Sequence, residues 1–231
     1  MNAGRTARER ARAELTLEIK DEARRQLESS SADALSLRAV ARELGMVSSA
    51  LYRYFPSRDD LLTALIIDAY NALGDAAEQA AARESGLRER WRAGCHAVRD
   101  WARAHRHEYA LLYGSPVSGY RAPQDTITPA IRVPLLLVGV VRDAIERGVL
   151  SPPAERRPLT PLLADQAKAV GAVVAPELPP SVVVNALLAW TQLFGMVSFE
   201  LFGQLVGSVD PSDEFFAAGV EHLADLVGLP D

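Results

Sequence analysis

The sequence has little of several residue types. Cys95 is the only cysteine among the 231 residues, so the chain can form no internal disulfide and nothing favours an oxidising compartment. Aromatic residues make up only 6% of the chain, and alanine and leucine are abundant, which favours helices over strands. The first fifteen residues carry charges throughout and lack the apolar stretch of a signal peptide. We therefore expect a cytoplasmic, predominantly helical protein.

Long apolar runs are also scarce. The best candidate for a membrane span is 182–206, but this stretch is interrupted by polar side chains that a bilayer core would penalise. These residues are Asn185, Gln192, Glu200 and Gln204. We interpret the stretch as a helix buried in protein and expect no association with a membrane.

Recognisable catalytic and metal-binding motifs are missing. The chain has no nucleophile elbow, no phosphate-binding glycine loop and no dinucleotide fingerprint. His105 and His107 are two residues apart, which places them on different faces of a helix, and no Cys/His spacing fits zinc. We expect no metal, no cofactor and no enzymatic activity. The alternative is an all-α enzyme with a hidden acid/base pair, for which the isolated Glu200 is the best candidate.

Charge is distributed unevenly along the chain. Residues 1–58 contain eleven Arg or Lys against eight Asp or Glu, a net charge of +3, while residues 59–231 carry −8. A basic N-terminal region followed by an acidic remainder is typical of a protein whose N-terminal region contacts phosphate groups. We predict two domains, 9–58 and 59–231.

Helical periodicity runs through most of the chain, and no strand pattern is convincing. The predicted helices cover about 8–29, 37–44, 48–54, 58–82, 87–105, 108–113, 127–147, 162–174, 181–206 and 212–226. Ser36, Ser57 and Ser181 are the expected N-caps, and Gly45 is expected to end the second helix. Pro134 predicts a kink or a late start in its helix, and 114–123 and 150–161 predict breaks.

The stretch Leu37–Arg58 predicts two short helices that cross tightly. Val40 and Leu44 form the apolar face of the first helix, Gly45 makes the turn, and Leu51 and Phe55 supply the opposing face. This is the arrangement of a helix-turn-helix, whose second helix enters the major groove of DNA. Taken alone, the pattern fits an ordinary corner between two helices that binds nothing equally well.

The flanking residues resemble the DNA-binding domain of the TetR/AcrR family over about residues 9–62. The similar segments are LSLRAVARELG at 35–45 and ALYRYFPSRDDLL at 50–62. The resemblance implies phosphate contacts from Ser36, Tyr52, Tyr54 and Arg58, and we assign base-edge contacts to Ser48, Ser49 and Arg53. The chain departs from the family at Val47, where Ser or Thr usually caps the recognition helix. We expect Ser48 to cap one residue later.

The segment WARAHRHEYALLYGSPVSGY at 101–120 resembles the WHG-type C-terminal domain of some TetR-like regulators through Trp101, His107 and Gly114. That resemblance implies an all-α domain that dimerises and senses a small molecule. Aromatic residues and the few polar groups on apolar stretches are candidates for its pocket, although plain core packing is the alternative for each. The candidates are Trp101, Tyr109, Tyr113, Arg132, Trp190, Gln192, Phe194 and Glu200.

The last two predicted helices, 181–206 and 212–227, are the most apolar long pair in the chain. An apolar face of this size would be a liability on a monomer, so we expect the two helices to form a two-fold homodimer interface. The sequence therefore predicts a homodimeric repressor that leaves a palindromic operator when an unknown small molecule binds. A regulator that binds DNA constitutively, without a ligand, is the alternative.

Overall fold

The computed structural model describes residues 3–151 and 158–231, with side chains from residue 6 onward. Within these ranges the chain forms eleven α-helices, two short 3-10 helices and no strand, which confirms the predicted all-α fold. The helices are α1 (Ala3–Ser29), α2 (Leu37–Glu43), α3 (Ser48–Leu51), α4 (Arg58–Ala81), α5 (Leu87–Ala104), α6 (Arg106–Tyr113), α7 (Ile127–Ala130), α8 (Arg132–Glu146), α9 (Pro161–Val174), α10 (Pro180–Leu201) and α11 (Asp213–Val227).

Contacts divide the chain into two compact units. The first contains the residues up to Tyr70 together with His105–Pro129, and the second contains Asn71–Ala104 together with the residues from Ala130 onward. Helix α6 and the loop after it therefore belong with the predicted helix-turn-helix. The predicted domains 9–58 and 59–231 were defined by their expected functions, DNA binding and ligand sensing. This division stays a prediction.

The first unit is built around one apolar core. Ile19 and Ala23 of α1 meet Val40 of α2, Leu51 of α3 and Leu61 of α4, and all five side chains are fully buried. Burial of each large aliphatic side chain contributes about 1.5–3 kcal/mol. The two short helices α2 and α3 are thereby fixed against α1 and α4, which positions the recognition segment.

The second unit is centred on α10, which packs against α5, α8, α9 and α11. Trp91 of α5 is buried, and its indole Nε1 donates to the Val220 carbonyl of α11 at 3.2 Å. Asn185 of α10 donates through Nδ2 to the Leu226 carbonyl of α11 at 2.9 Å. The first contact holds α11 against α5, and the second holds α10 against α11.

Two predicted helices end differently in the structure. The predicted helix 127–147 is interrupted at Ile131, and Pro134 is the third residue of α8, so its predicted late start is confirmed. At that position the missing N–H of proline removes no helical hydrogen bond. The predicted helix 181–206 begins at Pro180 and ends at Leu201, so Ser181 does not cap it. The predicted break at 150–161 includes residues 152–157, which lie outside the described residues.

Helix α10 is long and apolar enough, by length and composition alone, to cross a membrane. It spans 22 residues with a mean hydropathy of 1.6 in its most apolar window, of which 44% is buried within the protein. The core helix of a soluble protein meets the same criterion, so this property alone is weak evidence for a membrane span.

Candidate nucleic-acid interface

Local capping and turn residues shape the two crossed helices α2 and α3. The Ser36 hydroxyl accepts the Ala39 N–H at 3.4 Å and caps α2, as predicted. Gly45 adopts φ +65°, a conformation that favours glycine, and the Met46 N–H then donates to the Ala41 carbonyl at 2.8 Å. Since the Ser36 oxygen accepts this bond, its hydroxyl hydrogen stays free to donate to a phosphate oxygen.

The start of α3 differs from the sequence expectation. Val47 has extended backbone (φ −70°, ψ 137°) and occupies the N-cap position without a side-chain hydrogen bond. Ser48 is already the first residue of the helix, so the expectation that Ser48 caps α3 is wrong. The helix is also shorter than predicted, because it ends at Leu51 and continues as a turn through Tyr54.

The residues predicted to read DNA lie together on this short segment. Ser49, Tyr52 and Arg53 are exposed, whereas Ser48 and Tyr54 are partly buried. The fully buried Leu51 anchors the opposite side of the segment in the core. Because Leu51 fixes which side faces inward, the exposed hydroxyl, phenol and guanidinium groups all project from the outer side of one short element.

Arg12 of α1 belongs to this surface and was missed by the sequence analysis. Its Nη2 donates to the Arg53 carbonyl at 3.2 Å, and its guanidinium carbon lies 5.0 Å from the centre of the Tyr54 ring. The second contact is a cation–π interaction. The signal available in the sequence was the run of arginines at the start of α1, but only tertiary contact identifies the one that meets the recognition segment.

Arg58 makes its hydrogen bond and ion pairs with residues of the first unit. Its Nη2 donates to the Ala32 carbonyl at 2.8 Å, and its guanidinium lies 3.8 Å from carboxylate oxygens of Asp33 and Asp59. Asp33 in turn accepts the Ser118 N–H at 2.8 Å from the loop after α6. Arg58 therefore links the start of α4 to the 3-10 helix Ala32–Ala34. A phosphate contact through its partly exposed side stays a prediction.

The eight residues predicted to line a ligand pocket do not line one cavity in the described structure. Tyr109 and Tyr113 lie in the first unit, and the other six lie in the second. Tyr113 packs edge-on against Tyr70, and the centres of the two rings are 6.1 Å apart. The centre of the Tyr113 ring also lies 5.0 Å from the centre of the Tyr109 ring. Burial raises the pKa of the Tyr113 phenol above its usual range.

The two charged members of that set have partners within the protein. Arg132 donates to Glu78 at 2.6 and 2.9 Å and to Asp75 at 2.6 Å, and these hydrogen bonds to Glu78 and Asp75 raise the pKa of Arg132. Gly74 makes room for it, because a Cβ there would lie 2.7 Å from the Arg132 Nε. Among the ion pairs of the described residues, Arg132 and Glu200 do not pair with each other.

Glu200 pairs instead with Arg99 of α5. It accepts from the Arg99 Nε at 2.7 Å and from Nη2 at 2.9 Å, and the Arg99 side chain is buried. Gln192 is exposed, and Trp101 and Phe194 are buried in the core. Trp190 is the one predicted residue that lines the apolar cavity of the second unit. Among the described residues, no three His, Cys, Asp or Glu side chains are grouped to hold a metal ion.

Two family models match the chain. Residues 19–65 match the model for bacterial regulatory proteins of the tetR family, and residues 91–223 match the tetracyclin repressor-like C-terminal domain. The second match spans Trp101, His107 and Gly114, on which the sequence resemblance for this region was based.

Similar proteins cover nearly the whole chain. The HTH-type transcriptional regulator Rv1816 of Mycobacterium tuberculosis is 42% identical over 205 residues, which cover 84% of this chain and 83% of that protein. The crystal structure of the regulatory protein SCO4313 is 33% identical, with a TM-score of 0.76, and covers 93% of this chain and 97% of its own. A protein of unknown function from Rhodococcus sp. RHA1 is 28% identical, with a TM-score of 0.69, over 94% of this chain and 96% of its own.

Proposed function

Because the chain belongs to the TetR family of transcriptional regulators, we propose that it is a homodimeric repressor that leaves a palindromic operator when a small molecule binds within residues 59–231. The observation that carries the proposal is the outer side of α3 and of the turn after it, where Ser49, Tyr52 and Arg53 are exposed opposite the buried Leu51. A short element with donors on one side, held rigidly by its core, is suited to a major groove.

The roles within this surface follow from chemistry. The Ser36 and Tyr52 hydroxyls, Tyr54 and the Arg12 guanidinium suit phosphate oxygens, which fix the position of the protein on DNA without reading sequence. Arg53, Ser48 and Ser49 suit base edges, and an arginine pairs best with guanine through two hydrogen bonds. The cation of Arg12 lies beside the Arg53 backbone, so it supports the recognition segment as well as adding positive charge.

The dimer is proposed to form through α10 and α11. The outer face of α10 exposes Leu188, Gln192 and Phe199, and Gly195 on the same face has open space around it. The C-cap residue Phe202 continues this face and is also exposed. These residues follow the alternating spacing of four and three that forms a seam between paired helices. Phe215 of α11 is exposed as well. A second copy of the chain that packs on this face would bury the exposed phenylalanine side chains away from water.

The proposed function is tested by titrating promoter DNA from beside the gene, and a scrambled duplex, with the full chain at several salt concentrations. A specific regulator should bind the promoter about 10³–10⁷ times more tightly than the scrambled duplex. Equal affinity for the two duplexes would remove the proposed function.

Arg53→Ala should weaken binding to the true site by about 1–3 kcal/mol and relax preference at one base pair, because it removes a base-edge contact. Affinity for scrambled DNA should hardly change. Arg25→Ala is the matched control, because this exposed arginine also lies on a helix of the first unit and pairs only with Glu22 among the ion pairs seen. An equal loss on both duplexes would make Arg53 a phosphate contact.

Arg12→Ala should weaken both duplexes and reduce the slope of log affinity against log salt by about one, because one phosphate contact is lost. Arg25→Ala again serves as the control, about 20 Å away along α1. A slope identical to that of the unaltered protein would show that Arg12 only supports Tyr54 and Arg53.

The remaining alternatives rest on fewer observations. A regulator that binds DNA constitutively would need no ligand site, and the apolar cavity of the second unit favours the ligand-responsive form. The enzyme alternative loses its best candidate, because Glu200 is held by Arg99. We propose that the protein is not an enzyme, acts in the cytoplasm, and buries α10 in its dimer instead of in a membrane.

A further inference from the structure

The second unit contains a cavity between α8, α9 and α10 with a volume of about 190 Å³. Leu135 and Val138 of α8, Val170 and Val174 of α9, and Ala186 and Trp190 of α10 contribute to its walls. Of these residues, only Trp190 belongs to the set predicted from the sequence to line a pocket. The site therefore differs from the predicted pocket.

The walls of the cavity carry no charge. All the described side chains that line it are apolar, and their only polar side-chain atom is the Trp190 Nε1. That atom is buried and has no hydrogen-bond partner among the described residues. A carboxylate or ammonium ligand would have to give up water here without finding an opposite charge.

Two of the charged residues near the cavity in the sequence are already paired, and a third, Glu177 beside the cavity residue Leu178, is exposed to solvent. Arg132 follows the cavity residue Ile131 directly, but Glu78 and Asp75 occupy its guanidinium. Lys168 of α9 is exposed and pairs with Asp165. Within the described part of the chain, no charged side chain lines the cavity to recognise an ionic ligand.

The size of the cavity limits the occupant. An apolar cavity of about 150 Å³ in a protein core holds one benzene ring, and this cavity is somewhat larger. Leu135 and Val170 are partly exposed at its edge, so a ligand can enter from solvent. A bound ligand would also bury these aliphatic side chains. Their burial contributes about 25 cal/mol to the free energy of binding for each Å² of apolar surface removed from water.

We propose that this cavity binds an uncharged, largely apolar molecule of about one ring, whose polar atoms are at most hydrogen-bond acceptors. Such a ligand matches the neutral wall and leaves no donor of its own unpaired. The inference rests on the proposed function for the statement that this molecule is the effector. The binding itself requires no DNA.

The experiment uses the full chain labelled with ¹⁵N and follows the three tryptophan indole N–H signals, with that of Trp190 assigned from Trp190→Phe. Toluene and acetophenone should each shift the Trp190 signal saturably. Benzoate, which has the same ring with a charge, should not shift it at the same concentrations. Ala186→Phe fills the cavity and should weaken toluene binding at least tenfold.

Ala169→Phe is the matched control, because it adds the same ring to an exposed position of α9 outside the cavity, and it should change toluene affinity less than twofold. If Ala186→Phe does not fold, Val170→Phe at the partly exposed edge takes its place. No saturable shift with toluene would overturn the inference. Equal binding of benzoate, or unchanged toluene binding in a folded cavity-filling variant, would overturn it as well.

The two proposals fail in different ways. A protein that binds its operator but shows no toluene response at Trp190 overturns the cavity assignment alone. A protein that binds toluene at Trp190 but does not distinguish promoter from scrambled DNA overturns the proposed function alone.

Discussion

A chain that carries Phe199→Glu together with Phe202→Glu is expected to be monomeric and to bind its operator about 10²–10⁴-fold more weakly. Phe199 on the outer face of α10 is 55% exposed, and Phe202, the C-cap residue of that helix, is 43% exposed. Two carboxylates there would be buried without partners in a dimer. A monomer also loses the gain in affinity that comes from two linked recognition segments on one DNA. Sedimentation velocity at micromolar concentration and operator titration measure the two effects.

The control for this pair places the same two carboxylates on another apolar face. Leu162 and Val173 of α9 are 70% and 84% exposed, so Leu162→Glu with Val173→Glu should leave the dimer and the DNA affinity unchanged. If the α9 variant dissociates and the α10 variant does not, the dimer forms through α9 and the proposed interface is wrong.

Replacement of Glu200 by alanine is expected to destabilise the protein by about 3 kcal/mol. The Arg99 guanidinium is buried, and removing its partner leaves a buried charge poorly compensated, which costs about 3–5 kcal/mol in such pairs. The lower end applies because Arg99 keeps Asp213 at 2.9 Å. Hydrogen bonds from Arg99 lower the pKa of this exposed carboxyl. Chemical denaturation measures the free energy of unfolding, and Tm should fall by about 6–12 °C.

Arg103→Ala is the control for Glu200→Ala. Arg103 lies 3.8 Å from Glu200 and 3.4 Å from Asp213, but its side chain is half exposed, so its loss should cost less than about 1 kcal/mol. If Glu200→Ala costs no more than Arg103→Ala, the Arg99 pair does not stabilise the second unit, and Glu200 becomes available again as a ligand-binding group.

The sequence predicts well what is decided by neighbouring residues. Ser36 caps α2, and Gly45 makes the turn after it with positive φ. Ser57 accepts the Asp60 N–H at 3.1 Å at the start of α4. Each of these depends on hydrogen bonds or backbone conformation within four residues, so local patterns are sufficient. The N-cap of α3 was predicted one residue too late. Val47 has extended backbone and occupies the N-cap position, although its side chain makes no capping hydrogen bond.

Features that depend on distant residues were not predictable in this way. Arg12 meets the Arg53 carbonyl across 41 residues, and Thr63 shares a hydrogen bond of 2.9 Å with Tyr120 across 57. The second contact helps to bring the loop after α6 into the first unit. Glu200 was selected for the pocket because it is a polar residue on an apolar helix. Its partner Arg99 is 101 residues away, so periodicity could not reveal the ion pair.

The most direct test of the account is a hydroxyl-radical footprint of the unaltered full chain on its promoter DNA. A two-fold dimer that presents two copies of α3 should protect an inverted repeat whose half-sites are about 34–36 Å apart, or a multiple of that distance. The paired change of Phe199 and Phe202 should abolish the protection at the same protein concentration. A single asymmetric protected half-site, or protection without a preferred position, would contradict the account.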